Sequence, residues 1–321
     1  MSGKQMALFE ESEIQSGTES HKDIFSEWSY SRREMLEQCA RKYYYQYYGS
    51  SLKKSNNDPQ KENLHFSKNL QNRHLRTGSI LHFVIRTYLN KLRRGEQWSL
   101  DRLLSWVRNI YREDIEYSRR YKRGTPLSDK KYPPTLLLEF YYGFPDAESL
   151  STKAERRLIE ALTNFVKSQN LEQFREGAGD TSAMIEKPIY LKEVHFTLRG
   201  TIDLAYWKGD RIVIVDWKIG SAGSSDDSLQ MLAYAWWAKQ EFKHPTNYIT
   251  PCRVHLADNT VSTFNVSEKD LRRVEARILQ DLERMWEADN YGRRALVEAF
   301  TPCTQPKICE LCQFQEVCPK E

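Results

Sequence analysis

Between Arg76 and Leu92 apolar residues return every three or four positions, which predicts a helix with Gly78, Leu81, His82, Ile85, Tyr88, Leu89 and Leu92 on one face. His82 therefore lies on its buried side. A second helical pattern begins near Ser29 or Ser31, either of which can cap it, and runs to Gly49. Leu36, Cys39, Tyr43 and Tyr47 share one side of it, so Cys39 turns inward. The stretch SSLKKSNNDPQKEN that follows is polar and aperiodic and reads as an exposed loop. From about 100 to 177 the pattern is again helical, interrupted by YKRGTPLSDKKYPPT, and carries no chemical motif; it reads as a helical insertion.

The period then shortens to two. IEKPIYLKE, FTLRGTIDLAYW and RIVIVDWKIG read as strands, the last two joined by a hairpin at Lys208, Gly209 and Asp210. A loop rich in Gly, Ser and Asp leads to the helix SLQMLAYAWWAKQEF, the short strands CRVHLA and STFNV, and a charged helix over roughly 267 to 288. This order describes an α/β protein with a central mixed sheet flanked by helices. The expected organisation is a disordered leader over 1–24 and one elaborated domain over 25–321. That domain comprises a mainly helical part (25–180), a core (181–266) and a C-terminal helix with a cysteine cluster (267–321).

With 321 residues, 40% hydrophobic and 29% charged, the chain has the composition of a soluble globular protein. No apolar run approaches the ~20 residues of a membrane helix. The N-terminus lacks the apolar stretch of a signal peptide, so the expected location is the cytoplasm with no membrane partner. A net charge of +4 is too small to identify a nucleic-acid partner. The cluster Arg119, Arg120, Lys122 and Arg123 could follow a phosphate backbone or simply be a solvated helix face.

Asp203 lies within one predicted strand and Asp216 at the end of its hairpin partner, so pairing can bring the two carboxylates together. Such carboxylates repel unless a cation lies between them, and oxygen donors select hard ions such as Mg2+ or Mn2+. Lys218, two residues beyond Asp216, points to the same face, where an ammonium can orient a water or offset charge on a phosphoryl group. Taken singly, Asp216 would cap a turn, and His82 and Tyr234 would be core residues. Neither Asp216 nor Lys218 is needed to fill the core, so Asp216→Ala and Lys218→Ala are expected to leave the fold largely intact.

Cys309, Cys312 and Cys318 form Cys-x2-Cys-x5-Cys, and Cys39 lies 270 positions before Cys309. Three clustered thiols lack a fourth local ligand, and Cys39 can complete a metal site joining the two ends of the chain. Spacing alone leaves zinc and an iron–sulfur cluster open. Cys252 and Cys303 read as ordinary small residues.

Gly200-x-x-Asp203, twelve intervening residues, then Asp216-Trp217-Lys218-x-Gly220 resembles the PD-(D/E)xK nuclease superfamily in its RecB-like branch. Gly78 to His82 resembles that branch's helical Gly-x-x-x-His. Gln230 to Tyr234 resembles its Gln-x-x-x-Tyr, and Glu186 its acidic residue on the preceding strand. The cysteines resemble the branch's iron–sulfur members, such as the CRISPR adaptation nuclease and AddB-type nuclease domains.

The resemblance implies a restriction-endonuclease-like core with helical insertions and an iron–sulfur clamp. Its activity would be metal-dependent cleavage of DNA, as an exonuclease, with Asp203, Asp216 and Lys218 catalytic. His82, Asp203, Asp216 and the backbone carbonyl of Trp217 would hold Mg2+ or Mn2+, and Gln230, Tyr234 and Glu186 would support the substrate. Cys39, Cys309, Cys312 and Cys318 would hold a 4Fe-4S cluster, with zinc the alternative. DNA, as single strands or duplex ends, is the expected partner, together with a helicase or defence-system protein. The chain has no Gly-x4-Gly-Lys-Ser/Thr loop of its own for translocation. The competing reading is a nucleic-acid-binding or scaffolding subunit of a helicase–nuclease or defence complex. An electron-transfer protein would leave Asp203, Asp216 and Lys218 unexplained.

Overall fold

A computed structural model of the chain describes residues 27–49, 59–128, 133–193, 196–220, 228–289 and 295–318. The leader expected over 1–24 and the Gly/Ser/Asp loop at 221–227 lie outside the described residues. A short strand β1 (Glu27–Trp28) precedes α1 (Tyr30–Gln38), whose cap is Ser29: its side chain accepts the Arg32 N–H. The predicted single helix to Gly49 is broken at Cys39, which is extended (φ −164°, ψ 108°) and caps a new helix, α2 (Ala40–Tyr44), by accepting the Lys42 N–H on its sulfur. A π-helical turn, Tyr45–Gly49, completes the segment. The expected loop over 50–63 is corrected in its second half. Pro59–Lys68 forms α3, begun by a proline whose missing N–H costs nothing at a helix start.

The helical part continues with α4 (Arg73–Arg93), α5 (Leu100–Arg120), α6 (Leu138–Tyr141), α7 (Ala147–Lys167) and α8 (Glu172–Ala178). Asn72 caps α4 by accepting both the His74 and Leu75 N–H groups. A buried bidentate pair, Arg76 to Asp114 at 2.6 and 3.1 Å, fixes α4 against α5. Asp114 also accepts the Thr135 N–H, so the charge pair is hydrogen-bonded on several sides, the condition for burying it.

The sheet follows: β2 (Met184–Lys192), β3 (Thr197–Lys208) and β4 (Arg211–Lys218), then α9 (Ser228–Phe242), β5 (Ile249–His255), β6 (Thr260–Thr263) and α10 (Glu268–Ala288), with a short α11 (Pro306–Glu310) near the end. β2–β3–β4 are antiparallel, β4 and β5 are parallel with α9 as the crossover, and β6 returns antiparallel. The hairpin has the two-residue loop Gly209-Asp210, with Gly209 in the left-handed conformation (φ 59°) that the turn demands. One sheet face packs on α4, α5, α7 and α8 through Leu204, Val215, Trp217 and Val254; the other packs on α9 and α10 through Ile202, Ile214, Ala235 and Leu282. This mixed sheet flanked by helices is the restriction-endonuclease-like α/β layout. Among the described residues, no helix is long and apolar enough to cross a membrane.

Candidate active site

Two irregularities of the sheet create a site. The first is a paired kink. Along β3, Leu198 and Ile202 belong to one core but Leu204 and Tyr206 to the other, although all four are of one parity. Along β2, Ile189 and Ile185 divide in the same way. Regular strands keep alternate residues on one face, so both strands switch sides, at Asp203 and at Glu186. Glu186 has φ 50°, a left-handed conformation that costs a non-glycine residue about 1–3 kcal/mol and persists only where the surroundings impose it. The second irregularity is a gap. β3 pairs with β4 only as far as Leu204↔Val215, and β1 joins the same side at Thr197 and Leu198. Between these partners lies a cleft of about 190 Å³ whose lining includes Trp28, Ser29, Arg199, Gly200, Lys218 and Tyr234.

At the kink, ligand atoms of His82, Glu186 and Asp203 lie within 4.8 Å of one another. His82 Nδ1 is 3.1 Å from Asp203 Oδ1 and 3.4 Å from Glu186 Oε1. Burial lowers the proton affinity of the imidazole, but the charge and hydrogen bond of Asp203, with those of Glu186, outweigh it and raise His82 well above its ordinary value. Burial pushes the Asp203 carboxyl up, and Asp216 and Glu186 push it further, while His82 opposes them. His82, Glu186 and Asp203 thus form a group that could hold a metal ion. The other oxygen of Asp203 accepts the Trp217 N–H at 2.7 Å, which replaces the ladder bond lost where β3 and β4 part. The Trp217 ring is buried between Phe165 and Phe174, edge-on to both, and locks the end of β4 in place.

Asp216 heads a second group. The three-residue cluster at His82 does not include it; its buried carboxylate is instead met by Arg253 Nε at 3.1 Å, Lys218 Nζ at 3.1 Å and Gln230 Nε2 at 3.3 Å. Lys218 is half-exposed and reaches the cleft. Gln230 Nε2 also donates to Tyr234 Oη at 3.0 Å, and that hydroxyl donates to the Thr201 carbonyl at 2.8 Å, in the gap between β1 and β4 on that side of β3. Burial, then Asp216 and Asp203, raise Tyr234 well above its ordinary value, so it remains a donor.

Arg253 and His255 were not among the residues singled out by sequence. The parallel register places Arg253 beside Asp216 and His255 beside Lys218. Both are buried, and His255 Nδ1 has no hydrogen-bond partner among the described residues. A signal existed: in Cys-Arg-Val-His-Leu-Ala the charged and polar residues alternate with apolar ones in a strand otherwise fit for a core. Reading it required the β4–β5 register. The basic cluster on α5 and beyond is occupied differently, since Arg119 pairs with Glu148, Arg120 with Glu116 and Arg123 with Glu316.

Cys39, Cys309, Cys312 and Cys318 line one cavity of about 670 Å³, with Cys303 at its wall. All are free thiols. Segments around 41–72 and 300–317 are docked together around it. Arg41 Nε donates to the Phe300 carbonyl (2.7 Å), Tyr45 Oη to the Val317 carbonyl (3.0 Å) and Asn72 Nδ2 to the Leu311 carbonyl (3.2 Å). Phe314 is fully buried against Tyr45. Burial, together with neighbouring Cys39 and Cys318, pushes the Cys312 thiol up to about 11 against a backbone hydrogen bond from Phe314 and the charge of Lys42. Burial also raises Cys318, with Cys39 and Cys309 adding to the shift and Arg41 opposing it.

The chain matches the PD-(D/E)XK nuclease superfamily over residues 27–319, and it belongs to that superfamily. Its class is thereby that of phosphodiester hydrolases. Among solved structures, a candidate exonuclease from Eubacterium rectale is similar over 96% of this chain and 94% of that one, with a TM-score of 0.46 and 9% identity. The protein SSO0001 is similar over 67% of this chain and 96% of its own, with a TM-score of 0.29 and 11% identity. No curated protein matches the chain.

Proposed function

We propose that the protein is a divalent-metal-dependent DNA nuclease acting as an exonuclease on single strands or duplex ends. The observation that carries this is the convergence of His82, Glu186 and Asp203 at the kink, next to Asp216 and Lys218 on the adjoining strand. Two carboxylates and an imidazole form a donor set for a hard or borderline cation, and the two carboxylates raise the proton affinity of His82 against its burial, which marks a place where positive charge is favoured. His82, Asp203 and Glu186 would hold Mg2+ or Mn2+, with Asp216 and the Trp217 carbonyl as the further ligands the resemblance implies. The bound ion would supply Lewis acidity toward water and the phosphoryl oxygens. Lys218 presents its ammonium at the cleft, where it offsets charge on the phosphate and orients the attacking water. Gln230 and Tyr234 hold the cleft wall. A helicase or defence-system partner is the proposed source of strand ends.

The cysteine cavity is proposed to hold a 4Fe-4S cluster as a structural clamp. Four thiols lining one cavity are the donor set that such a cluster takes, and zinc, which also accepts four thiolates, is the alternative.

Full-length protein purified without oxygen and given end-labelled single- and double-stranded DNA tests both parts. Metal-dependent release of nucleotides and a broad visible absorption band are expected. Metal-independent binding without cleavage would favour a scaffolding subunit, and a colourless zinc protein would remove the iron–sulfur assignment.

A further inference from the structure

We propose that Arg253 is a positioning residue of the nuclease site, fixing the amide orientation of Gln230 and the rotamer of Asp216; this rests on the reading of the site given above. Arg253 is 2% exposed, in the middle of β5, beside Asp216 in the parallel register. A buried guanidinium is tolerated only when its charge and its donors are matched. Here Nε donates to Asp216 Oδ2 at 3.1 Å and Nη2 to Gln230 Oε1 at 2.7 Å.

The second bond has a consequence for the cleft. An amide has one acceptor end and one donor end. Because Arg253 occupies the Gln230 oxygen, the Gln230 nitrogen must face Asp216 Oδ1 at 3.3 Å and Tyr234 Oη at 3.0 Å. The Tyr234 proton is then directed at the Thr201 carbonyl, 2.8 Å away, where β3 pairs with β2 but has no strand on its other side. With the amide reversed, its oxygen would face the Asp216 carboxylate, acceptor against acceptor. Arg253 therefore sets the direction of every hydrogen bond from β5 through α9 to β3, without itself reaching the cleft. It also places a fixed positive charge beside a carboxylate of the proposed cation site, which weakens that carboxylate's hold on a cation.

Full-length Arg253→Gln, Arg253→Lys, Gln230→Ala and the Arg253→Gln/Gln230→Ala double variant separate this role from a structural one. Three quantities are measured: Mn2+ binding by calorimetry, thermal unfolding, and kcat and KM on end-labelled DNA. Arg253→Gln is expected to lower kcat roughly 10- to 100-fold with little change in KM, while Mn2+ affinity tightens severalfold. Arg253→Lys, which keeps the charge but not the two-point geometry, should bind Mn2+ as wild type does and recover part of kcat. The double variant should be no worse than the poorer single one, because both act through one amide.

Additive losses overturn the proposal, as does Mn2+ affinity lost in parallel with the melting temperature. If Arg253→Gln does not fold, Arg253→Lys decides: unchanged kcat overturns the proposal, and a partial loss at wild-type Mn2+ affinity upholds it. A wild type that cleaves no DNA would defeat the functional reading instead. The positioning role would then be decided by Mn2+ affinity alone, with tightening in Arg253→Gln that disappears in Arg253→Lys expected and unchanged or weakened binding overturning it.

Discussion

The carboxylate site and the cysteine cavity are assembled by opposite means. Apart from His82, the first draws its residues from 186 to 253, and sheet register together with one kink brings them together. The second joins Cys39 to a segment 270 positions later, and its geometry depends on the docking of the two segments. A site made by register is as rigid as the sheet and can tolerate strain, as the left-handed Glu186 demonstrates. A site made by closing a long loop adds to stability when it forms, because the unfolded chain loses entropy to the same cross-link. Substitutions at the first should therefore impair chemistry more than folding, and at the second the reverse.

The largest expected effect is on cleavage. Asp203→Asn or Lys218→Ala should reduce the rate on the order of 10²–10³-fold with little change in melting temperature, as single-turnover assays and calorimetric scans would register. An equal loss of stability would erase the contrast. Asp216 is the exception to it, and its alanine variant is expected to fold less stably than the sequence suggested. Arg253 is buried against Asp216, so Asp216→Ala leaves a buried cation uncompensated and should cost about 3–5 kcal/mol in denaturant unfolding. Asp216→Asn, which still offers an acceptor, should cost less while being equally inactive.

Next in size, Cys309→Ala should lower stability by about 2–5 kcal/mol and abolish the visible absorption, with residual folded protein still binding Mn2+. Ser267→Ala, remote from both sites, should cost about 1 kcal/mol through loss of the α10 capping box and leave cleavage and absorption alone. Its pH signature is defined. The Ser267 hydroxyl beside Asp270 holds that carboxyl below its usual range. The part of the capping box that rests on the Asp270 charge is therefore complete above the unfolded carboxyl value of about 3.9 and is lost as pH falls through the lower folded value, while the Asp270 N–H bond to the Ser267 hydroxyl stays. The gap between wild-type and Ser267→Ala melting temperatures should narrow in that acidic window without closing.

How much of this was legible beforehand follows the same division. Strong periodicity announced α4, α9 and α10, and the turn chemistry of Gly209 announced the hairpin. The ordered Gly78, His82, Asp203, Asp216, Lys218, Gln230 and Tyr234 were visible as motifs. The break at Cys39 was not, since a cysteine cap carries no propensity signal comparable to serine or aspartate. α3 was hidden in a polar stretch whose burial rests on Leu64 alone among its strongly apolar residues. The grouping of Glu186 with His82 and Asp203 depends on a backbone kink, and that of Arg253 with Asp216 on the register of two strands joined by a long crossover. Neither is written in local pattern, because both arise only when the sheet closes.

The most direct test of the central claim is the release of nucleotides from end-labelled DNA by the full-length protein, with Mg2+ or Mn2+ and after chelation. Nucleotide release is predicted only with the ion present, and it should be lost in Asp203→Asn under identical conditions. Release that persists in chelator, or in Asp203→Asn, would contradict the assignment of His82, Glu186 and Asp203 as the cation site of a nuclease.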